Sequence, residues 1–338
     1  MVKAPKIILA LTSALLLAAC GNSYNKADMN TEEFLAMDTY ISLSAYGENA
    51  EVALANARRE IKSVESQLSV TDPASEVSRI NESGGEDTVL SEDTAGIINF
   101  ALYLNTLTEG AFDITLYPVT REWGFTTGEY RVPSKEKLEE LLKKTGSENI
   151  IYGDNIISLP EGYLIDLGAL GKGFAGDRAA AVLKEKGIAS ALLNLGGNVQ
   201  AVGSKPDGSP WNIGIQNPFG EGNAATLKVK DKAVVTSGNY QRYFEENGKR
   251  YCHIIDPETG YPVDNGLMSV TVVAESGLLC DGLSTALFVM GEEKAADFWR
   301  QQRDFDVIII TDEGRILVSE GIYDDFTAAE GFALEKLV

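Results

Sequence analysis

Apolar residues recur along this chain with two periods. Between Glu48 and Ser69, the residues Leu54, Ala57, Ile61, Val64 and Leu68 fall at steps of three and four, which stacks them on one face of a helix. Ser91 stands ahead of a second such stretch that runs to Glu109, with Ile97, Ile98, Ala101 and Leu102 on one side. Ser134 opens a third helix and Gly146 closes it. Gly171 to Lys186 reads as a fourth, stopped at Gly187, and Leu278 to Met290 as a fifth. Alternation with period two predicts strands at Met37–Ala45 and Leu227–Thr236. Short apolar runs add Tyr163–Leu167, Ala191–Leu195 and Ser269–Ala274. Phe305–Ile310 and Arg315–Val318 flank Asp312-Glu313-Gly314, a hairpin turn. Strands and helices interleave irregularly, without repeats. The pattern predicts a mixed α/β (α+β) fold with largely antiparallel strands, in one globular body or two subdomains.

The first residues follow a different logic. Lys3 and Lys6 precede an apolar run from Ile7 to Leu17, and Leu17-Ala18-Ala19-Cys20 places small residues ahead of a cysteine. The run is too short for a bilayer span of about 20 apolar residues, and the order of charge, apolar run and small residues is that of a signal peptide. Cys20 sits where a lipoprotein signal peptidase leaves a lipidated N-terminus. The expectation is a leader over 1–19, a flexible tether over 20–33, and a folded body over 34–338, held by lipid at the extracytoplasmic face of the cell membrane.

Charge and cysteine content narrow the chemistry. The formal net charge is −21, and two charges more negative once Lys3 and Lys6 leave. Such a protein repels phosphate backbones, so nucleic acid is excluded as a partner class. An anionic small ligand would need a cation, local lysines or backbone N–H groups. Cys252 and Cys280 either pair outside the cytoplasm or stand as small buried side chains; no motif spacing decides between them.

Several stretches carry reactive residue types. "IDLGALGKGFAGD" (165–177) reads as a strand ending at Asp166, a loop with Gly168, Gly171, Lys172 and Gly173, and then a helix; the loop is either a tight turn or a phosphate cradle. "CDGLSTALFVMG" (280–291) puts Asp281 and Thr285 four apart on one helical face, either as a helix cap with a back-bonded hydroxyl or as oxygen ligands for a hard cation. Asp113, in "GAFDIT", lies between apolar residues and needs N–H partners or a ligand. "NLGGN" reads as a strand entering a turn, and "TSGNY" as a polar loop. His253 is the only histidine. It stands just ahead of the Asp256-Pro257 turn, and its imidazole can take a proton near neutral pH.

Taken in order, these segments resemble the ApbE-type flavin transferases, formerly filed as thiamine-biosynthesis lipoproteins. The matching pieces are the lipobox, Met37-Asp38-Thr39, "FDIT…WGF" (112–125), "DLGALGKGFAGD", "NLGGN", "TSGNY", "HIIDPETGYPV" and "CDGLSTALFVMG". The resemblance implies a magnesium-dependent enzyme. It would move the FMN part of FAD onto a threonine hydroxyl of a partner flavoprotein, such as a redox-pump subunit, and release AMP. Hydrolysis of FAD to FMN and AMP is the alternative with the same residues, and flavin binding without catalysis a third. By the same resemblance, Asp281, Thr285, Ser284 and the Ala169 carbonyl would hold magnesium. Asp166 and Lys172 would contact FAD. Met37, Ala111, Phe112, Asp113 and Ile255 would line the flavin nucleotide pocket, and His253 would be the base. Gly171 stands where the family more often has alanine, and Asp38 where it usually has glycine.

Overall fold

The computed structural model describes residues 29–338. The expected leader, the lipidation site Cys20 and the tether up to residue 28 lie outside the described residues. Eight α-helices are found among the described residues: α1 (Ala50–Leu68), α2 (Glu76–Glu82), α3 (Glu92–Leu107), α4 (Tyr117–Glu122), α5 (Lys135–Leu142), α6 (Gly168–Glu185), α7 (Gly277–Met290) and α8 (Glu292–Gln302). The main sheet has nine strands, in the order Met29–Ala36, Thr39–Tyr46, Ser190–Leu195, Asn198–Gly203, Ala233–Gly238, Leu267–Ala274, Asp306–Thr311, Arg315–Ser319 and Ala333–Leu337. All neighbours are antiparallel except the last pair.

Alternation along the central strands sends side chains to two cores. Val235, Val270, Val272, Val307 and Ile309 join the core under α1, α6 and α7. Val234, Val273, Ile308 and Ile310 face the other way, onto a three-stranded sheet that contributes Trp211, Ile213, Ile215 and Leu227. These strands are apolar on both faces because both faces are covered. A third, smaller core gathers Val119, Trp123, Phe125, Leu138, Phe244 and Ile255. There the Trp123 indole N–H donates to the Gly260 carbonyl at 2.8 Å, tying the "WGF" segment to the turn after His253.

The caps of α3 and α5 match the sequence reading, and α7 has a cap, Ser276, that the sequence reading did not name. Ser91, Ser134 and Ser276 accept first-turn N–H groups of α3, α5 and α7. Several expectations are corrected. The folded body begins inside the expected tether, because Met29–Ala36 pairs residue by residue with Thr39–Tyr46. Met37 and Asp38 are not strand residues but the two-residue turn of that hairpin, with φ of 53° and 56°. Such a turn requires positive φ at both positions. Leu227–Thr236 is not one strand. It breaks at Asp231, whose φ is 46°, into Asn223–Val229 and Ala233–Gly238, which lie in different sheets. "TSGNY" is not wholly loop, since Thr236–Gly238 ends the second of these. Tyr163–Leu167 joins no sheet. The Asn81 side chain bonds both the N–H (2.7 Å) and the carbonyl (2.9 Å) of Ile165, taking the place of a neighbouring strand. Cys252 and Cys280 are both free and buried.

Candidate active site

The glycine-rich stretch is not a loop ahead of a helix; it is the first turns of α6 itself. Its glycines are used against α7. A Cβ on Gly173 would lie 2.2 Å from the Gly277 carbonyl oxygen, so the two helices touch backbone to backbone. This approach lets Asp281 reach across, and its Oδ2 accepts the Gly173 N–H at 2.8 Å. In a regular helix that N–H goes to the carbonyl four residues back, which is Ala169. The Asp281 carboxylate therefore competes for it and leaves Ala169 oxygen capacity free.

Asp281 does not cap α7. That work is done by Ser276 and by Asp177, whose carboxylate accepts from the N–H groups of Gly277 (2.7 Å) and Leu278 (3.0 Å) and from the Ser276 hydroxyl (2.9 Å). Thr285 does bond back, to the Asp281 carbonyl at 3.3 Å, as does Ser284 at 3.0 Å. Ser237 joins both hydroxyls, 2.8 Å from Ser284 Oγ and 3.2 Å from Thr285 Oγ1. Asp281 is 5% exposed. Burial pushes its carboxyl pKa up, against the pull of Lys172, Asn198 and the Gly173 N–H. Asn198 is 4% exposed, and its amide nitrogen has no hydrogen-bond partner although it faces this carboxylate. An orphaned donor beside a buried acid marks a place built for something further.

Among the described residues no three His, Cys, Asp or Glu side chains gather. A cation here would rest on one carboxylate, two hydroxyls and a carbonyl, completed by water and phosphate oxygens. That all-oxygen set suits magnesium. The residues present fit the ion.

His253 approaches from a hairpin. Tyr243–Glu246 and Lys249–Cys252 pair around Asn247-Gly248, so Arg242 and His253 stand opposite each other at its base. The Arg242 carbonyl accepts from the His253 main-chain N–H at 3.0 Å and lies 3.1 Å from Nδ1. A carbonyl can only accept, so Nδ1 carries the proton and Nε2 keeps its lone pair. The Arg242 guanidinium donates to the Phe125 carbonyl, and the Phe125 ring meets the imidazole edge-on at 6.4 Å. Burial and the charges of Arg242 and Lys172 lower the His253 pKa to about 4, against the pull of the Arg242 carbonyl. Lys172 thus lies within electrostatic reach of both His253 and Asp281. Asp166 lies across from Arg242. Burial raises its pKa, while the Gly168 N–H at 2.8 Å and the Arg242 charge oppose that rise.

The pocket-lining residues fare differently. Asp113 is occupied: its Oδ1 accepts from the Thr115 N–H (2.7 Å), the Thr115 hydroxyl (2.6 Å) and the Ser147 hydroxyl (2.7 Å). Its carboxylate pins two segments together through Oδ1, while Oδ2 accepts one long bond, from the Ser147 N–H at 3.3 Å. Phe112 and Ile255 are buried, Phe112 in the main core and Ile255 in the aromatic cluster, so each supports a wall from behind. Ala111 is half-buried beside them. Met37 reaches α6, its methyl 3.2 Å from where a Gly171 Cβ would stand. Sequence reasoning gave no role to Arg242, Ser237, Asn198 or Asp177. Asn247-Gly248 was the available signal for Arg242: a two-residue turn there sets the register that pairs it with His253.

The model of the ApbE family matches residues 37–309. The chain is 33% identical to an FAD:protein FMN transferase of Haemophilus influenzae, across 95% of this chain and 97% of that one. It is 35% identical to the Vibrio cholerae enzyme of the same name, across 91% and 94%. Its fold is similar to the crystal structure of an ApbE protein from Thermotoga maritima, with a TM-score of 0.82, 35% identity and 87% and 97% coverage. The flavin transferase ApbE from Vibrio cholerae superposes with a TM-score of 0.77 at 30% identity, covering 90% and 98%.

Proposed function

Because this chain belongs to the ApbE family, we propose that it is an FAD:protein FMN transferase whose acceptor is a threonine hydroxyl of a partner flavoprotein. The threonine oxygen attacks the phosphorus on the FMN side of the FAD diphosphate. A phosphoester bond forms, the bond from that phosphorus to the bridging oxygen breaks, and AMP leaves with the bridging oxygen. The hydroxyl proton passes to Nε2 of His253, the nitrogen left without a hydrogen. Lys172 and Arg242 lend positive charge where the diphosphate must lie in a protein of net charge −21.

Asp281, Thr285, Ser284 and the Ala169 carbonyl would hold magnesium, with Ser237 orienting the two hydroxyls. When bound, the ion neutralises phosphate charge and stabilises the departing AMP. The observation that carries this reading is Lys172, within electrostatic reach of both the oxygen cluster around Asp281 and the imidazole of His253. Lipidation at Cys20 and an extracytoplasmic position belong to the same proposal; Cys20→Ala should release the protein from the membrane fraction.

The test is mass spectrometry of a threonine-bearing acceptor domain incubated with FAD, magnesium and the full chain. The expected result is a gain of one FMN on the acceptor, lost with His253→Ala and lost when magnesium is chelated. Free FMN and AMP with no labelled protein, across several acceptors, would instead make the chain an FAD pyrophosphatase.

A further inference from the structure

We propose that Arg242 is a positioning residue for His253: its carbonyl selects the Nδ1–H tautomer, and its side chain, anchored on the Phe125 carbonyl, holds that carbonyl in place and keeps a cation beside the ring. The inference rests on the reading of His253 as base. One residue makes three contacts at one corner. Its carbonyl meets both N–H groups of His253 at 3.0 and 3.1 Å. Its guanidinium donates to Phe125, whose own ring packs edge-on against the imidazole. The hairpin register sets Arg242 opposite His253, so the three contacts form together.

The charged groups around the imidazole are Arg242 itself, on the strand-end facing it, and Lys172 on α6; Asp166, ahead of α6, faces Arg242. Burial, with two cations against the imidazole, keeps it unprotonated in the resting protein. The negative charge that a bound cation leaves on an entering diphosphate would weaken that field. The base would then strengthen only when its substrate is in place.

The lone histidine makes the test direct. The full chain, labelled with 15N at histidine and carrying no polyhistidine tag, gives one pair of imidazole signals. At pH 7 the expected signature is the Nδ1–H tautomer. In Arg242→Gln the tautomers should mix and the titration midpoint should rise by about one pH unit or more. In Arg242→Lys the charge remains without the planar fork, so the midpoint should stay low while the tautomers mix. A resting Nε2–H tautomer, or an Arg242→Gln midpoint equal to the parent's, would overturn the proposal. The wild-type tautomer and Arg242→Lys decide the matter if Arg242→Gln does not fold. None of these readings uses turnover. If His253→Ala transfers FMN normally, the base assignment fails while the hold of Arg242 on the imidazole is judged separately.

Discussion

His253 carries the largest gap between what its residue type suggests and what its surroundings impose. An imidazole in water titrates near 6.5, where residue type alone would put the loss of a base on acidification. Burial and two nearby cations bring the group to about 4. The working form is the unprotonated one, so activity is present above the pKa and lost as pH falls through it. The expected profile of kcat/KM for FAD, which reports the free protein, is flat from about pH 5.5 to 8 with its acid limb near 4. Protonation of Asp281 adds loss in the same direction. The acid limb of kcat should lie at higher pH, because the charge that a bound cation leaves on the diphosphate offsets Arg242 and Lys172. Steady-state rates across this range check both; an acid limb of kcat/KM centred near 6.5 would show that burial and the two cations do not govern the imidazole.

Two glycines in one helix show how element packing decides a substitution that propensity alone would score alike. Alanine is favoured over glycine in a helix interior by roughly 1 kcal/mol. At Gly171 the new methyl would meet the end of the flexible Met37 side chain at 3.2 Å, which can give way. Gly171→Ala should leave stability unchanged or raise it by up to about 1 kcal/mol. At Gly173 it would meet the Gly277 backbone at 2.2 Å and the Asp281 Cβ at 2.7 Å. Gly173→Ala should cost about 1–3 kcal/mol and abolish transfer by pushing Asp281 away, as thermal melts and the mass assay would record. The same contrast marks what could be read from sequence. Caps, the faces of α1 and α7 and the Asp312–Gly314 hairpin depend on neighbours in the chain, so they were legible. So were Asp281, Thr285, Lys172 and His253, whose residue types are unusual where they stand. Ile165 could not be placed, because its partner is the side chain of Asn81, 84 positions away. The glycines of α6 were misread as a loop because their reason lies in α7. Arg242 and Asn198 look ordinary until the fold brings a hairpin base and a strand end to the site.

At the scale of the whole molecule, the site is held against the stability of the fold. Asp166, Asp177, Asp281 and Asp306 all have carboxyl pKa values raised, in each case chiefly by burial. A carboxyl that binds its proton more readily in the fold adds stability below the unfolded pKa, near 4, and loses it as pH rises through the folded value. His253 works in the opposite sense, because its folded pKa is below its unfolded one. Its contribution is present above about pH 6.5 and lost as pH falls toward 4. The four buried carboxyls oppose His253 and three exposed carboxyls, Glu136, Asp207 and Asp231, whose lowered pKa values act in its sense; the exposed three are screened by solvent, and the net charge of −21 adds self-repulsion at neutral pH. In chelator, the melting temperature should therefore be higher at pH 5 than at pH 7.5. Asp281→Asn isolates the part due to the site. The amide can still accept the Gly173 N–H through its oxygen, but it carries no buried charge. The variant should be inactive, yet melt a few degrees above the parent at pH 7.5, where about 1 kcal/mol corresponds to roughly 2 °C in a chain this long. That margin should shrink as pH falls and the parent's carboxyl takes up its own proton. A variant that melts lower at both pH values would mean that the Asp281 charge holds α6 to α7, and that the free protein gains from it with no cation present.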